Sequence, residues 1–189
     1  MSKRYEMRFA GSGGQGVILA SVIIAEAAVI AGLNTVQSQA YGPEARGGVS
    51  KAETVLSCDK IWYSKVTRPN FLLALTQASL DTYTRELAEG AVVMMDDGLN
   101  CPADLDPARV ISVPILQTAK EKVGKAFTAN IVAVGAINRA LRLFSDKDLM
   151  EGVKRHIPAG TEEINQKALA EGAALISDAQ AEAFAQTIG

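Results

Sequence analysis

Cysteine and histidine are scarce in this chain: its 189 residues hold 2 cysteines and 1 histidine. An iron–sulfur cluster needs a full set of cysteine thiolates, so Cys58 and Cys101 cannot hold one unaided. Two isolated thiols also make neither a disulfide framework nor a metal motif. His156 lies in a polar amphipathic stretch and reads as a solvated helix residue, and no Ser/His/Asp or Cys/His constellation can be assembled. No apolar run is long enough to cross a membrane. The longest, from Val17 to Ala31, contains Glu26 and starts from a glycine loop. Nothing resembles a signal peptide. The net charge of −2 provides no broad attraction to nucleic acid. A cytoplasmic protein with reduced cysteines is the expectation, one that contributes to chemistry performed elsewhere.

The composition, 48% hydrophobic and 21% charged, is that of a globular protein. We expect residues 1–189 to form a single domain. The sequence centres on Gly11-Ser12-Gly13-Gly14-Gln15-Gly16. Before it, Tyr5 to Ala10 alternates apolar and polar residues as a strand does. After it, Val17 to Ala31 is long enough for about four helical turns. A strand that turns sharply into a helix needs backbone without Cβ atoms. The free N–H groups of the helix's first turn then favour an anion in the loop. Gly11, Gly13 and Gly16 fit the dinucleotide pattern G-x-G-x-x-G. The acidic partner expected about 20 positions on is missing, since the second strand, Leu33 to Gln39, carries only neutral polar residues. A P-loop is excluded because Val17-Ile18 stands where Lys-Ser/Thr is required.

The second organised stretch is Ala40-Tyr41-Gly42-Pro43-Glu44-Ala45-Arg46-Gly47-Gly48, whose Gly-Pro and Gly-Gly steps forbid a regular element. Val49 to Ser57 then returns as an extended segment. With the first two strands parallel, their ends share one sheet edge, and the two glycine loops converge where open α/β sheets bind ligands. Arg46 offers a planar fork to a carboxylate or phosphate, or pairs with Glu44 to hold the loop. Further strands are expected at Phe71–Leu75, Ala91–Asp96 and Val110–Val113, with helices at Gln77–Leu87 and Leu116–Lys122. Trp62 and Tyr63 are expected to anchor the irregular stretch between Asp59 and Asn70. The alternation predicts an α/β/α three-layer fold with a mostly parallel sheet, a Rossmann-like first unit and a helical C-terminal part.

A long apolar helix follows, from Thr128, a plausible N-cap, to about Phe144. Its small residues, Gly135 among them, let another helix come close. Polar helices are expected at Asp146–His156 and Thr161–Ala174. The helix from Val17 has almost no polar face. That predicts cover on both sides, by the sheet and by a partner, either a second copy or larger subunits.

Taken together, the two loops resemble those of the gamma subunit of 2-oxoacid:ferredoxin oxidoreductases. The likeness also rests on Ala129-Asn130 with Gly135, and on Asn165-Gln166-Lys167-Ala168. It implies a complex that oxidatively decarboxylates a 2-oxoacid, passes the acyl group to coenzyme A (CoA) and reduces ferredoxin. It further implies alpha, beta and ferredoxin-like partner subunits, which carry the thiamine diphosphate and the iron–sulfur clusters. The stretch from Tyr41 through Val49-Ser50-Lys51 looks most like the 2-oxoglutarate-type enzymes; pyruvate, branched-chain oxoacid and indolepyruvate forms stay open. The residues implied to contact CoA are Gly11, Ser12, Gly13, Gly14, Gln15 and Gly16, with Tyr41, Gly42, Glu44, Arg46, Gly47 and Gly48. Two other readings remain: a stand-alone NAD- or FAD-binding oxidoreductase, and a purely structural assembly subunit.

Overall fold

The computed structural model describes residues 4–40 and 49–187. Its strands are β1 (Arg4–Ser12), β2 (Asn34–Ala40), β3 (Val49–Ser57), β4 (Phe71–Ala74), β5 (Val92–Asp96) and β6 (Val110–Val113). They form one six-stranded sheet in the order β2-β3-β1-β4-β5-β6. The β1, β4, β5 and β6 strands pair in parallel. The β3 strand runs antiparallel to both its neighbours, β1 and β2. The sheet is therefore mostly parallel in direction, with one inverted strand that the sequence pattern does not announce.

The helices are α1 (Val17–Ile30), α2 (Gln77–Tyr83), α3 (Ile115–Thr118), α4 (Ala129–Leu141), α5 (Asp146–Lys154), α6 (Glu162–Ala173) and α7 (Asp178–Thr187). One face of the sheet supplies Met7, Phe9, Leu56, Phe71, Leu73 and Met94 to a large core shared with α1, α3, α4, α5, α6 and α7. The other face carries a thinner layer in which Ala10, Leu72, Ala74, Val93 and Met95 pack with Leu80 of α2. The three expected layers are present and unequal in depth. The last helix, α7, has no counterpart in the pattern read from sequence.

Why α1 lacks a polar face is now plain. One side lies on β2 and β3, where Ser21 Oγ and Thr54 Oγ1 are 2.8 Å apart. The other side meets α4 and α5 of the same chain, and a Cβ on Gly152 of α5 would lie 3.0 Å from the backbone N of Ala27. The apolar helix is thus covered by its own fold, and the argument from it to a partner subunit or a second copy is withdrawn.

The small residues of α4 serve a similar internal purpose. Every α4 residue except Arg139 is buried. A Cβ on Gly135 would lie 2.2 Å from the Leu169 carbonyl oxygen of α6, and one on Gly172 only 2.0 Å from the Val132 carbonyl oxygen. Backbone thus meets backbone from both sides, a separation that only glycine permits. Thr128 does not cap α4 as expected, because its hydroxyl donates to the Lys125 carbonyl oxygen at 2.8 Å. Trp62 and Tyr63 do not anchor their loop either: they are 83% and 61% exposed. That segment is held by polar contacts instead, with Asn70 Nδ2 donating to the Arg4 carbonyl oxygen at 2.8 Å.

Candidate functional site

The turn between β1 and α1 is closed by its own glutamine. Gln15 Oε1 accepts from the Ser12 backbone N–H at 2.7 Å, and Gln15 Nε2 donates to the Leu75 carbonyl oxygen just beyond β4 at 3.2 Å. The amide lies over Gly11, where a Cβ would come within 2.5 Å of Gln15 Oε1. Gly14 and Gly16 take φ values of +90 and +71, the left-handed region that glycine enters most readily. Gly13 has no positive φ, and a Cβ there would meet nothing within 4 Å among the described residues. A larger residue at Gly13 is therefore not strained by its own backbone or by any described neighbour.

Gly16 precedes α1, and no side chain caps that helix. The N–H groups of the first turn are left without intrahelical partners, and Gly13 and Gly14 of the preceding turn are exposed. Behind them stands Asn130, 4% exposed, whose Nδ2 would be 2.7 Å from a Cβ on Gly16. The start of α4 is therefore packed directly against the Gly11–Gly16 turn.

Tyr41, Gly42, Glu44, Arg46, Gly47 and Gly48 lie outside the described residues. Their flanks do not: Ala40 is opposite Lys51, and Val49 is opposite Ser12 at the end of β1. Both ends of the 41–48 segment thus sit on the edge that carries the Gly11–Gly16 turn. The same edge is finished by other helix starts. The Thr76 side chain accepts from the Ser79 backbone N–H at the start of α2. Asp96 Oδ2 accepts from the Leu116 N–H at 2.8 Å, which makes Asp96 a helix-capping group rather than a free acid.

Sequence reasoning missed two features. Phe127, 69% exposed, stands beside Lys125 just ahead of α4, and its irregular surroundings carry no periodic signal. Arg8, a polar position in the alternation of β1, is only 2% exposed. Its Nε donates to Glu53 Oε1 at 2.8 Å, it pairs with Glu86, and its guanidinium carbon is 4.9 Å from the centre of the Tyr83 ring. Burial pushes the Tyr83 hydroxyl pKa above the ordinary tyrosine value, with the Arg8 charge opposing. His156 is less solvated than expected, with Nε2 buried 3.5 Å from Glu26 Oε2. Among the described residues no group of three or more His, Cys, Asp or Glu could hold a metal ion, and both cysteines are exposed.

Residues 6–175 match the family model for pyruvate ferredoxin/flavodoxin oxidoreductase. The 2-oxoglutarate synthase subunit KorC of Methanothermobacter marburgensis is 42% identical over 184 residues, which is 94% of this chain and 99% of that protein. Among solved structures, the keto/oxoacid ferredoxin oxidoreductase gamma subunit from Geobacter sulfurreducens superposes with a TM-score of 0.80 at 40% identity, covering 96% of this chain and 98% of that one. The 2-oxoglutarate:ferredoxin oxidoreductase from Magnetococcus marinus, solved with 2-oxoglutarate, CoA and succinyl-CoA bound, gives a TM-score of 0.81 at 25% identity. That match covers 93% of this chain but 31% of the Magnetococcus chain.

Proposed function

Because the chain belongs to the pyruvate ferredoxin/flavodoxin oxidoreductase family, we propose that it is the gamma subunit of a 2-oxoglutarate:ferredoxin oxidoreductase. The complex decarboxylates 2-oxoglutarate, transfers the succinyl group to the CoA thiol and passes the released electron pair to ferredoxin. The end-to-end match to a 2-oxoglutarate synthase subunit carries this reading. The whole of residues 1–189 acts as one domain, in the cytoplasm, beside alpha, beta and ferredoxin-like subunits. Thiamine diphosphate and the iron–sulfur clusters reside on those partners. No helix among the described residues is long and apolar enough to cross a membrane.

Within the complex, the Gly11–Gly16 turn and the 41–48 segment contact CoA. Three features support this: the uncapped start of α1, the open backbone at Gly13 and Gly14, and the shared sheet edge. The residues involved are Gly11, Ser12, Gly13, Gly14, Gln15 and Gly16, with Tyr41, Gly42, Glu44, Arg46, Gly47 and Gly48. Gln15 holds the turn to the end of β4, the α1 N–H groups face a phosphate, and Arg46 supplies the cation.

A stand-alone NAD or FAD enzyme finds no support. In that fold the strand after the first helix lies beside the first strand, whereas here β3 separates β2 from β1. The test is reconstitution with the neighbouring subunits. CoA-dependent ferredoxin reduction should be strongest with 2-oxoglutarate and absent from the isolated chain. Turnover by the isolated chain would overturn the reading.

A further inference from the structure

At the sheet edge opposite the glycine turn, residues 58–70 link the end of β3 to the start of β4. The chain's only tryptophan, Trp62, projects from this segment together with Tyr63. The backbone beneath them is fixed. Arg4 Nη2 donates to the Tyr63 carbonyl oxygen at 3.2 Å, Asn34 Nδ2 to the Cys58 carbonyl oxygen at 3.2 Å, and Val66 and Pro69 are buried. Two aromatic rings are therefore held out into water by an ordered scaffold, which is the preorganised form that binding surfaces favour. Aromatic residues and arginine are the types that carry most interface energy.

The charge around them has one sign in excess. Lys60 Nζ lies 4.1 Å from the centre of the Trp62 ring, and Arg4 adjoins Tyr63. Lys65 and Arg68 are exposed on the same segment. Against these stand Asp59, exposed, and Glu6, which is already paired to Arg4 at 2.9 Å. We infer that the Trp62–Tyr63 patch docks a separate, larger subunit of the oxidoreductase complex, through an apolar recess rimmed by carboxylates. The occupant is argued from that charge, and from the Magnetococcus enzyme, where a chain about three times as long contains this fold. There the fold adjoins the remainder of its own chain, and a gamma subunit would meet the equivalent neighbour across a surface. The inference rests on the gamma-subunit reading. It places the contact on the edge away from Gly11–Gly16, so that docking leaves the turn open to a ligand.

A single tryptophan makes the test direct. The chain is labelled with 5-fluorotryptophan, and its one fluorine resonance is followed, alone and in the reconstituted complex, for its response to a soluble paramagnetic chelate. Assembly should move the resonance and remove most of that response. Trp62→Ala should leave the thermal midpoint of the free chain unchanged and weaken assembly roughly thirtyfold, and Lys65→Glu with Arg68→Glu should slow association. If the complex forms with Trp62 still accessible and Trp62→Ala assembles normally, the inference is overturned and the gamma-subunit reading stands. If the free chain buries Trp62 by pairing with a second copy, the stated partner is wrong. If the unmodified chain does not assemble with the neighbouring subunits, the gamma-subunit reading falls and this inference falls with it.

Discussion

Asn130 lies directly against Gly16, so the first residue pair of the α4 helix and the last residue of the glycine turn set each other's position. A Cβ on Gly16 would stand 2.7 Å from Asn130 Nδ2, at a φ of +71. Two costs therefore add in Gly16→Ala. A left-handed backbone costs an L-residue about 1–2 kcal/mol, and the clash adds to it. Asn130→Gly in the same chain should recover the clash and leave the backbone cost. Urea unfolding of the two single variants and the double variant measures both parts, and strict additivity would show that the contact carries no energy.

Gly13 behaves differently. Its added Cβ meets nothing within 4 Å among the described residues, so Gly13→Ala and Gly13→Val should unfold at the midpoint of the natural chain. In the reconstituted complex both should raise the CoA concentration needed for half-maximal rate, because the added side chain takes space that is open among the described residues and that the proposed ligand would use. A variant that assembles and titrates normally would clear the turn of any role in CoA contact.

Arg46→Ala tests the second loop at the level of charge. Loss of a charge-assisted contact to phosphate costs about 1.5–3 kcal/mol, roughly a tenfold to hundredfold rise in CoA requirement. The dependence on 2-oxoglutarate should stay near normal. A pure scaffold role predicts the opposite pattern, poor assembly with ordinary CoA dependence in what remains. Titration and subunit stoichiometry on one preparation separate the two.

Arg8 is the polar residue on which the thin layer of the fold depends. Removing one partner of a buried ion pair costs about 3–5 kcal/mol, so Arg8→Ala, which leaves Glu53 to the longer 3.5 Å contact with Lys51, should lower the unfolding free energy by up to that order. Replacing both, as Arg8→Met with Glu53→Met, should recover much of the loss, since apolar substitutes of similar volume are often neutral. Denaturant titrations of the single and paired variants decide it.

Acid should loosen the seam between α1 and α5. A hydrogen bond from Arg155, 2.6 Å from Glu26 Oε1, holds the Glu26 carboxyl below the ordinary glutamate value of 4.5, against a smaller upward push from burial. A carboxyl lowered in the folded state adds stability above its unfolded value and loses it as pH falls through the folded one. The natural chain should therefore lose stability below about pH 4.5 in a step that Glu26→Gln lacks. Parallel curves for the two proteins from pH 6 to 3 would rule out the contribution.

The order of elements was legible because apolar runs such as Leu72–Leu75 and Val92–Met95 are bounded by turn residues. The glycine turn was legible because only glycine tolerates such backbone. The direction of β3 was not: Val49–Ser57 shows the same composition whether it runs up or down, and only the register with Arg4–Ser12 decides. Nor was the cover on α1, since an apolar face does not say whether α4 and α5 or another chain will meet it. The burial of Arg8 was not legible either, because alternation marks the face a side chain takes, and not whether Glu53 and Tyr83 wait there. The outward Trp62 inverted the usual inference from ring to core.

The inverted β3 also decides which part of the edge is free to vary in length. Ala40 and Val49 are pinned by their strands, opposite Lys51 and Ser12, whatever joins them. Residues inserted between Ala40 and Val49 therefore leave the register of β2, β3 and β1 untouched. The turn at 11–16 has no such freedom, because one added residue would pull Gln15 off Leu75 and Gly16 off Asn130. Evolution of a new specificity on this frame thus has an easy route through the first connection and a closed one through the second.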